Sequence, residues 1–261
     1  MAITETRDLR FHAFRAWRFT HRVGLHEAVM VAGAFLVYFL VRASVDGRAS
    51  TAFANGRDVI AFERTLGLYH ELTMQGWILD HFALIKLMNW IYFWGHMPVV
   101  IGFAVWLFIW HRPTYTLMRN AFLLSGAIAV VIYATYPVAP PRLFPAEGFI
   151  DTMAVHDRVS YNAQEVGAFV NQYAAIPSLH FGWSLLLGGA VAVVTRHRLM
   201  RALGLAWPVA MFFSVVLTGN HFIVDAIAGA IVCAAGLGLA LALNAALSRW
   251  VNREPGTSPS G

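Results

Sequence analysis

Residues 219–247 read GNHFIVDAIAGAIVCAAGLGLALALNAAL, an apolar run long enough to cross a bilayer as one helix. The first seven of these residues include the imidazole of His221 and the carboxylate of Asp225, four positions apart. On a helix, residues four apart are neighbours on one face. The run therefore predicts a membrane helix that begins with a paired imidazole and carboxylate.

The composition of the whole chain also indicates a membrane protein. Of its 261 residues, 58% are hydrophobic and 13% are charged, against about a quarter charged in soluble domains. Apolar runs of about 20 residues, the length that crosses a bilayer, recur along the chain. They lie at 26–45, 87–110, 117–136, 179–195, 203–218 and 222–247. We therefore predict an all-α polytopic membrane protein, a bundle of six transmembrane helices.

The basic residues set the expected orientation, because Arg and Lys collect in cytoplasmic loops. With the N-terminus inside, twelve of the 19 basic residues lie in cytoplasmic segments and six lie on the opposite side. Both termini are then cytoplasmic, while Arg142, His180 and His221 are extracytoplasmic. This topology and anionic headgroups explain the net charge of +5, so no nucleic-acid partner is expected. We predict an integral protein of the cell or inner membrane.

Three segments outside the predicted spans have distinct character. Residues 1–25 alternate Arg with aromatic residues, as an interfacial amphipathic helix does, and a disordered basic arm fits equally. Residues 62–81 are too polar to cross lipid but have a helical period, which predicts a helix along the outer surface. Residues 249–261, rich in Pro, Ser and Gly, are expected to be a disordered cytoplasmic tail. The remainder, 26–248, is expected to form one membrane domain.

A few residues inside the spans carry structural information. His96 is polar at membrane depth, so we expect it to face the bundle and to be held by hydrogen bonds. The single cysteine, Cys233, excludes a disulfide framework and a thiol metal site, and we interpret it as a small packing residue. Gly229 and Gly236 add to a small-residue face that predicts close helix packing.

The ends of three predicted spans together suggest an anion site. Ser178 and Asn220 are good N-caps for the spans that follow them, and such starts offer backbone N–H groups and a partial positive charge to an anion. His180 and His221 lie in the first turns of these spans. Arg142, whose planar fork suits phosphate oxygens, follows the third span in a proline-rich segment. The cluster predicts a pocket for a phosphate ester, with Arg142, Ser178 and Asn220 binding phosphate.

The same residues suit phosphoryl transfer through histidine. Asp225 can accept the proton of one ring nitrogen of His221, which leaves the other nitrogen free to attack phosphorus and form a phosphohistidine. His180 can protonate the leaving oxygen and later deprotonate the accepting water or alcohol. Arg142 would stabilise the charge on the transferring group. A zinc site from His180, His221 and Asp225 is chemically possible, but Arg142 would repel a cation, so neither a metal nor a cofactor is expected.

These motifs resemble those of the type 2 phosphatidic acid phosphatase (PAP2) superfamily. The motifs, all within residues 136–229, are Pro140-Pro141-Arg142, Pro177-Ser178-Leu179-His180 and His221-x-x-x-Asp225. The residues in and around these motifs, together with the early Glu63-Arg64-Thr65-Leu66-Gly67-Leu68, resemble the sequences of the inositol phosphorylceramide synthase-like branch. The resemblance covers about residues 60–230. It implies a six-helix membrane bundle, a metal-independent reaction through a phosphohistidine, and the site roles given above.

Two positions depart from the hydrolase pattern of that superfamily. Thr135 stands seven residues before Arg142, where the hydrolase motif has Lys, and Val215 stands six before His221, where it has Arg. Fewer cations suit a phosphodiester, which carries one negative charge, better than a monoester, which carries about two. The departures favour transfer from a lipid phosphodiester to an alcohol. Hydrolysis of a lipid phosphate, of the phosphatidate or polyprenyl phosphate type, stays open.

The loop 137–177 contains the remaining candidates for recognition. Asp151, Asn171 and Tyr173 either contact a polyol acceptor or headgroup, or order the loop. A second alternative function is a lipid-binding or transport protein without turnover, which polar residues in spans would serve. Transporters usually have broken helices in repeated halves. Because neither feature is evident in the sequence, catalysis is favoured.

Overall fold

The computed structural model of the chain describes residues 47–156 and 172–251, together with helical positions at 27, 29, 30, 32, 33 and 36. The arm 1–25 and most of the predicted span 26–45 lie outside the described residues. The chain forms two compact units, Met1–Ala43 and Ser44–Gly261. All three motifs lie in the second unit.

The second unit consists of helices and turns. In chain order the helices are α1 Ala49–Leu66, α2 Glu71–Leu79, α3 Phe82–Trp90, α4 His96–Trp110, α5 Arg112–Thr135, α6 Thr152–His156, α7 Leu179–Val194, α8 Arg198–Leu217 and α9 Ile223–Val251. A π-helical turn, Ile91–Gly95, joins α3 to α4, and two 3-10 turns, Pro141–Leu143 and Pro145–Glu147, follow α5. The described residues contain no β-strand, only an isolated bridge between Val138 and Ala174. The all-α prediction is confirmed.

Several of these helices are suited to a membrane. Within the described ranges, four segments are long and apolar enough to cross one: Phe82–Trp110, Arg112–Thr135, Arg198–Leu217 and Ile223–Trp250. Helix α7 is apolar but shorter. These four segments overlap four of the predicted spans, at 87–110, 117–136, 203–218 and 222–247, and make the chain an integral membrane protein. The count of six spans stays a prediction. Helix α9 continues to Val251, and the rest of the expected tail lies outside the described residues.

Glycines allow the last helix to pack closely against its neighbours. Helix α9 packs against α5 and α7. A Cβ atom on Gly229 would collide with the carbonyl oxygen of Ser178, and one on Gly236 would lie 2.8 Å from the carbonyl oxygen of Ala121. The close packing expected from the small-residue face is confirmed. It places the start of α7 directly against the first turns of α9.

The polar segment 62–81 forms parts of two helices rather than one. Helix α1 ends at Gly67, whose left-handed conformation, with φ of 67°, terminates the helix as glycine commonly does. The side chains of Glu63, Glu71 and Gln75 are at most 1% exposed. These polar groups therefore point into the protein, where they contact the start of α9 and the loop after α5. A position of these helices along the outer membrane surface stays a prediction.

Candidate active site

The imidazole and carboxylate singled out in the sequence meet at the start of α9. His221 lies two residues before the helix, Asp225 lies in its first turn, and both are buried. The Nδ1 atom of His221 lies 2.8 Å from the carbonyl oxygen of Ala175 and 3.4 Å from Oδ2 of Asp225. Because the carbonyl is the nearer acceptor, the Nδ1 proton is donated to Ala175, and Nε2 carries the lone pair. The carbonyl of Ala175 is a partner that the sequence did not reveal.

The backbone N–H groups at the start of α9 donate to buried carboxyl groups. These bonds run from Phe222 N to Asp225 Oδ2 at 2.8 Å, from Ile223 N to Glu71 Oε1 at 2.9 Å, and from Val224 N to Glu63 Oε1 at 2.7 Å. Carboxylates are favoured at this place because the helix dipole is positive at its N-terminus. The expectation that this helix start offers free N–H groups to an anion is therefore wrong, since protein carboxylates already occupy them.

Asn220 has a different role from the predicted N-cap. Its Oδ1 accepts a hydrogen bond from Nε of Arg142 at 3.0 Å, and its Nδ2 donates to the hydroxyl of Thr218 at 2.8 Å. The prediction that Asn220 caps α9 is wrong, because the carboxylate of Asp225 reaches back to the first N–H group instead. Asn220 orients Arg142, and direct binding of phosphate by Asn220 stays a prediction.

Glu63 and Glu71 are two buried acids beneath the site. A hydrogen bond between their side chains requires a proton on one of the two carboxyl groups. Burial, followed by the side-chain interaction with Glu71, raises the pKa of Glu63 to about 9. Glu63 is therefore the protonated member at neutral pH. The sequence indicated these residues only as polar positions, although Glu71 and Gln75, four apart, would share one face of a helix.

The start of α7 is held in place by three hydrogen bonds. Ser178 caps the helix as predicted, its hydroxyl oxygen accepting from Phe181 N at 3.5 Å. The backbone N–H of Ser178 donates to the backbone carbonyl of Asp225 at 2.9 Å. The hydroxyl of Tyr133 on α5 donates to the carbonyl of Pro177 at 2.7 Å. Helices α5, α7 and α9 are thereby joined at one end, and phosphate binding by the buried Ser178 stays a prediction.

His180, in the first turn of α7, lies beside three other rings. Its ring centroid is 5.9 Å from that of His221, so the structure brings together the two histidines of the predicted site. The rings of Tyr92 and His96 are each 4.6 Å from it. His96 is 1% exposed, as expected for a residue facing the bundle. The hydrogen bonding expected for His96 is not found at its Nδ1 atom, which has no partner among the described residues.

Arg142 lies in the first 3-10 turn and is 8% exposed. Its backbone N–H donates to the carbonyl of Gly219 at 2.7 Å, and its Nε donates to Asn220. Its Nη1 donates to Oδ2 of Asp151 at 3.3 Å. Within the described residues Nη2 has no hydrogen-bond partner, so part of the fork is available to a substrate. The guanidinium lies next to the segment that carries His221.

Two of the three candidates for acceptor or headgroup contacts lie among the described residues, and both contact other parts of the protein. Asp151 pairs with Arg142, and its Oδ1 accepts from the N–H groups of Met153 and Ala154 at 3.1 and 3.0 Å, so it starts α6. Tyr173 packs its ring against Phe53 with centroids 6.4 Å apart. Both residues order the loop, while contact with a substrate stays a prediction. Asn171 lies outside the described residues.

The residues of this site lie within a match to a known protein family. Within residues 47–156 and 172–251, no group of three or more His, Cys, Asp or Glu residues could hold a metal ion. A family model described as the PAP2 superfamily matches residues 57–239. The chain belongs to the PAP2 superfamily. Membership and the apolar helices together make it a membrane protein of the phosphatase type. No curated protein and no solved structure matches the chain.

Two positions distinguish this PAP2 superfamily member from the hydrolase pattern. Thr135 is exposed at the end of α5, where its hydroxyl donates to the carbonyl of Val131 at 2.8 Å. Val215 is fully buried in α8, and its carbonyl accepts from the N–H groups of Asn220 and His221, each at 3.0 Å. The hydrolase pattern has a cationic residue at three positions, 135, 142 and 215. In this chain only position 142 has a cationic residue, Arg142. Asp151 partly balances the charge of Arg142.

Proposed function

We propose that the protein transfers a phosphoryl group or phospho-headgroup from a lipid phosphodiester to an alcohol, through a phosphohistidine at His221. The observation that carries the proposal is the hydrogen bond from Nδ1 of His221 to Ala175, which leaves Nε2 as an unprotonated nucleophile. A second histidine, His180, lies nearby on another helix, and Nη2 of Arg142 has no hydrogen-bond partner among the residues that the structure describes. These are the groups that a two-step transfer requires.

The first step forms the phosphoenzyme. Nε2 of His221 attacks phosphorus, and the bond from phosphorus to the leaving alkoxide breaks. Protonated His180 gives its proton to that oxygen, so the lipid leaves as a neutral alcohol. The His221 ring becomes cationic, and its Nδ1 proton is stabilised by the carbonyl of Ala175 and by the carboxylate of Asp225 at 3.4 Å.

The second step transfers the group to the acceptor. Neutral His180 takes the proton of the acceptor hydroxyl, and the hydroxyl oxygen attacks phosphorus. The bond between phosphorus and Nε2 breaks, which returns the electron pair to His221 and leaves His180 protonated for the next cycle. Nη2 of Arg142 stabilises the negative oxygens in both steps. Water in place of the alcohol would give hydrolysis.

The charge of the site supports a phosphodiester donor. Arg142 is the cation of the site, and Asp151 lies 3.3 Å from it. The positions of Thr135 and Val215 contribute no charge, and the buried carboxylates of Glu71 and Asp225 lie behind the start of α9. A donor with one negative charge fits this balance better than a monoester with about two. This charge balance favours transfer between alcohols.

The test is a substrate panel with the purified protein. Lipid phosphodiesters and lipid phosphates are supplied with and without polyols such as inositol, and products are identified by mass. Labelled phosphate should be trapped on the protein after an alkaline quench and should be lost in His221→Ala. Activity should survive EDTA. Lipid binding without turnover or trapped label would contradict the proposal and favour a lipid-binding or transport protein.

Hydrolysis is the second candidate, and membership in a superfamily of phosphatase type favours it. A lipid phosphate phosphatase would release free phosphate from phosphatidate or a polyprenyl phosphate, independently of added alcohol. In the panel, this outcome would show a monoester consumed faster than any phosphodiester. Transfer predicts the reverse order and a product that contains the acceptor.

We also propose that the site is extracytoplasmic and both termini are cytoplasmic, a topology supported by the excess of basic residues in segments on the side of the termini. Two exposed positions test it in a Cys233→Ala background. His70→Cys, before α2, should react with an impermeant thiol reagent in intact cells. Arg196→Cys, between α7 and α8, should react only after permeabilisation. Reaction at Arg196→Cys alone would reverse the topology.

A further inference from the structure

A π-helical turn interrupts the membrane segment Phe82–Trp110. It covers Ile91–Gly95 and leads directly into α4 at His96. Such turns are rare, insert one residue into an α-helix, and frequently mark functional sites. This one rotates the residues after it relative to those before it, and it presents Tyr92 and His96 to the same neighbour, His180 on α7.

The rings of Tyr92 and His96 enclose part of the His180 ring. Tyr92 stacks on His180 with centroids 4.6 Å apart and planes inclined by 27°. His96 lies at the same centroid distance with planes inclined by 43°. Tyr92 is 8% exposed and His96 is 1% exposed, whereas His180 is only partly buried. The imidazole of His180 is therefore packed against two residues one helical turn apart, Tyr92 and His96.

Packing alone does not explain a histidine at position 96. Its Nδ1 atom is buried and has no hydrogen-bond partner among the described residues. A buried polar atom without a partner costs free energy, which a phenylalanine ring of similar size would not. The ring stacks almost parallel to Trp183, with planes inclined by 14°, a contact that phenylalanine would also make. What distinguishes the imidazole is a polar atom beside a residue that changes charge during the proposed reaction.

We propose that Tyr92 and His96 orient the His180 ring for proton transfer, and that His96 is a positioning residue of the reaction. The inference rests on the proposed function, because it requires His180 to protonate the leaving oxygen. Proton transfer needs a donor nitrogen within hydrogen-bond reach and in line with that oxygen. Stacking on Tyr92 limits the orientations of the ring, and His96 packs beside it with centroids 4.6 Å apart.

The experiment compares two donors that differ in their need for an acid. An alkyl lipid phosphodiester requires protonation of its leaving oxygen, whereas a nitrophenyl phosphodiester releases a stable anion without it. His96→Phe should lower kcat on the lipid by about tenfold to a hundredfold and on the nitrophenyl ester by less than about threefold, with KM unchanged. Thermal stability should be equal or higher, since the buried unpaired nitrogen is gone. His96→Gln should recover part of the lipid rate.

Controls separate positioning from damage to the fold. His180→Ala should show the same selective loss, only larger, and His81→Phe, the same exchange at an exposed position, should change neither rate. Equal losses on both donors, or no loss on the lipid, would overturn the inference. If His96→Phe does not fold, His96→Gln and Tyr92→Leu are measured instead. For each, the loss of kcat on the lipid is compared with the loss on the nitrophenyl ester, and the same outcomes decide. If the wild type turns over neither donor, the proposed function fails first, which is a distinct result.

Discussion

The Nδ1 atom of His221 lies 2.8 Å from the carbonyl oxygen of Ala175. That carbonyl is part of a fixed backbone segment, because Ala175 N donates to Val138 O at 3.3 Å and Val138 N donates to Tyr173 O at 2.8 Å. A backbone carbonyl does not titrate and cannot be removed by a side-chain change. The orientation and tautomer of the His221 ring therefore do not depend on Asp225 alone.

Asp225→Asn tests how the two acceptors divide their roles. The amide oxygen can still accept from Phe222 N, and Ala175 still holds the Nδ1 proton, so the nucleophilic tautomer should persist. What is lost is the negative charge that stabilises the cationic ring of the phosphoenzyme. A hydrogen bond to a charged group contributes about 1.5 to 3 kcal/mol, against about 0.5 to 1.5 kcal/mol for a neutral one. We expect kcat to fall by about tenfold to a hundredfold. A loss as large as that of His221→Ala would show that the carboxylate alone sets the tautomer.

Arg142→Lys tests the guanidinium fork. Nε and Nη1 of Arg142 bond to Asn220 and Asp151, which leaves Nη2 for the substrate. A lysine has a single ammonium group and cannot bridge these partners while also contacting phosphate. We expect kcat/KM to fall by about a hundredfold, the loss typical of one transition-state donor. Arg57→Lys, at an exposed position of α1, is the matched control and should be neutral. Turnover near the wild-type rate in Arg142→Lys would remove Arg142 from the phosphate site.

Glu63→Gln should change how stability depends on pH. The pKa of Glu63 is about 9 in the folded protein and 4.5 ordinarily, so between these values the folded state keeps a proton that the unfolded state has lost. Stability therefore falls as pH rises through this window, by up to about 1.4 kcal/mol per pH unit from this group. Glutamine is neutral, can accept from Val224 N, and can donate to Glu71.

The measurement is the melting temperature in detergent from pH 5 to pH 8. The advantage of Glu63→Gln over the wild type should grow steadily as the pH rises. Glu147→Gln is the matched control, since Glu147 forms a more exposed ion pair with Arg64 and should retain the wild-type slope. Parallel curves for Glu63→Gln and the wild type would show that the two buried acids do not share a proton.

Hydropathy was sufficient to predict most of the membrane helices, because a span must be apolar along its own length and this is a local property. The structure also brings together His180, His221, Asp225 and the segment of Arg142, as the sequence predicted from motifs at the ends of helices, whereas their roles in a reaction stay a prediction. The predicted spans differ from the observed helices mainly at the helix starts. The second span, for example, begins at Phe82, where Lys86 and polar neighbours obscured it.

What the sequence did not reveal depends on contacts between distant segments. The carbonyl of Ala175 has no side-chain signature, and Glu63 meets Val224 across 161 positions of the chain. The N-cap error at Asn220 has the same origin. Asn is a good cap by local preference, but three carboxyl groups, two of them from α1 and α2, accept from the N–H groups at the start of α9. The contacts of Tyr92 and His96 with His180 join two segments almost 90 positions apart, and the π-helical turn between the two residues is not indicated by hydropathy.

Two glycines of α9 provide the last prediction, a matched pair in one helix. A Cβ atom on Gly229 would collide with the carbonyl oxygen of Ser178, whereas one on Gly238 would meet nothing within 4 Å. Gly229→Ala should therefore push α7 away, disturb the cap at Ser178 and the adjacent His180, and destabilise the protein by about 1 to 3 kcal/mol.

Gly238→Ala should instead stabilise the helix by up to about 1 kcal/mol, because alanine loses less backbone entropy. Melting temperature and turnover are measured for both variants. Gly229→Ala should lose both stability and activity, and Gly238→Ala should keep full activity. An active, stable Gly229→Ala would mean that the tight contact between α7 and α9 does not hold the two histidines in register.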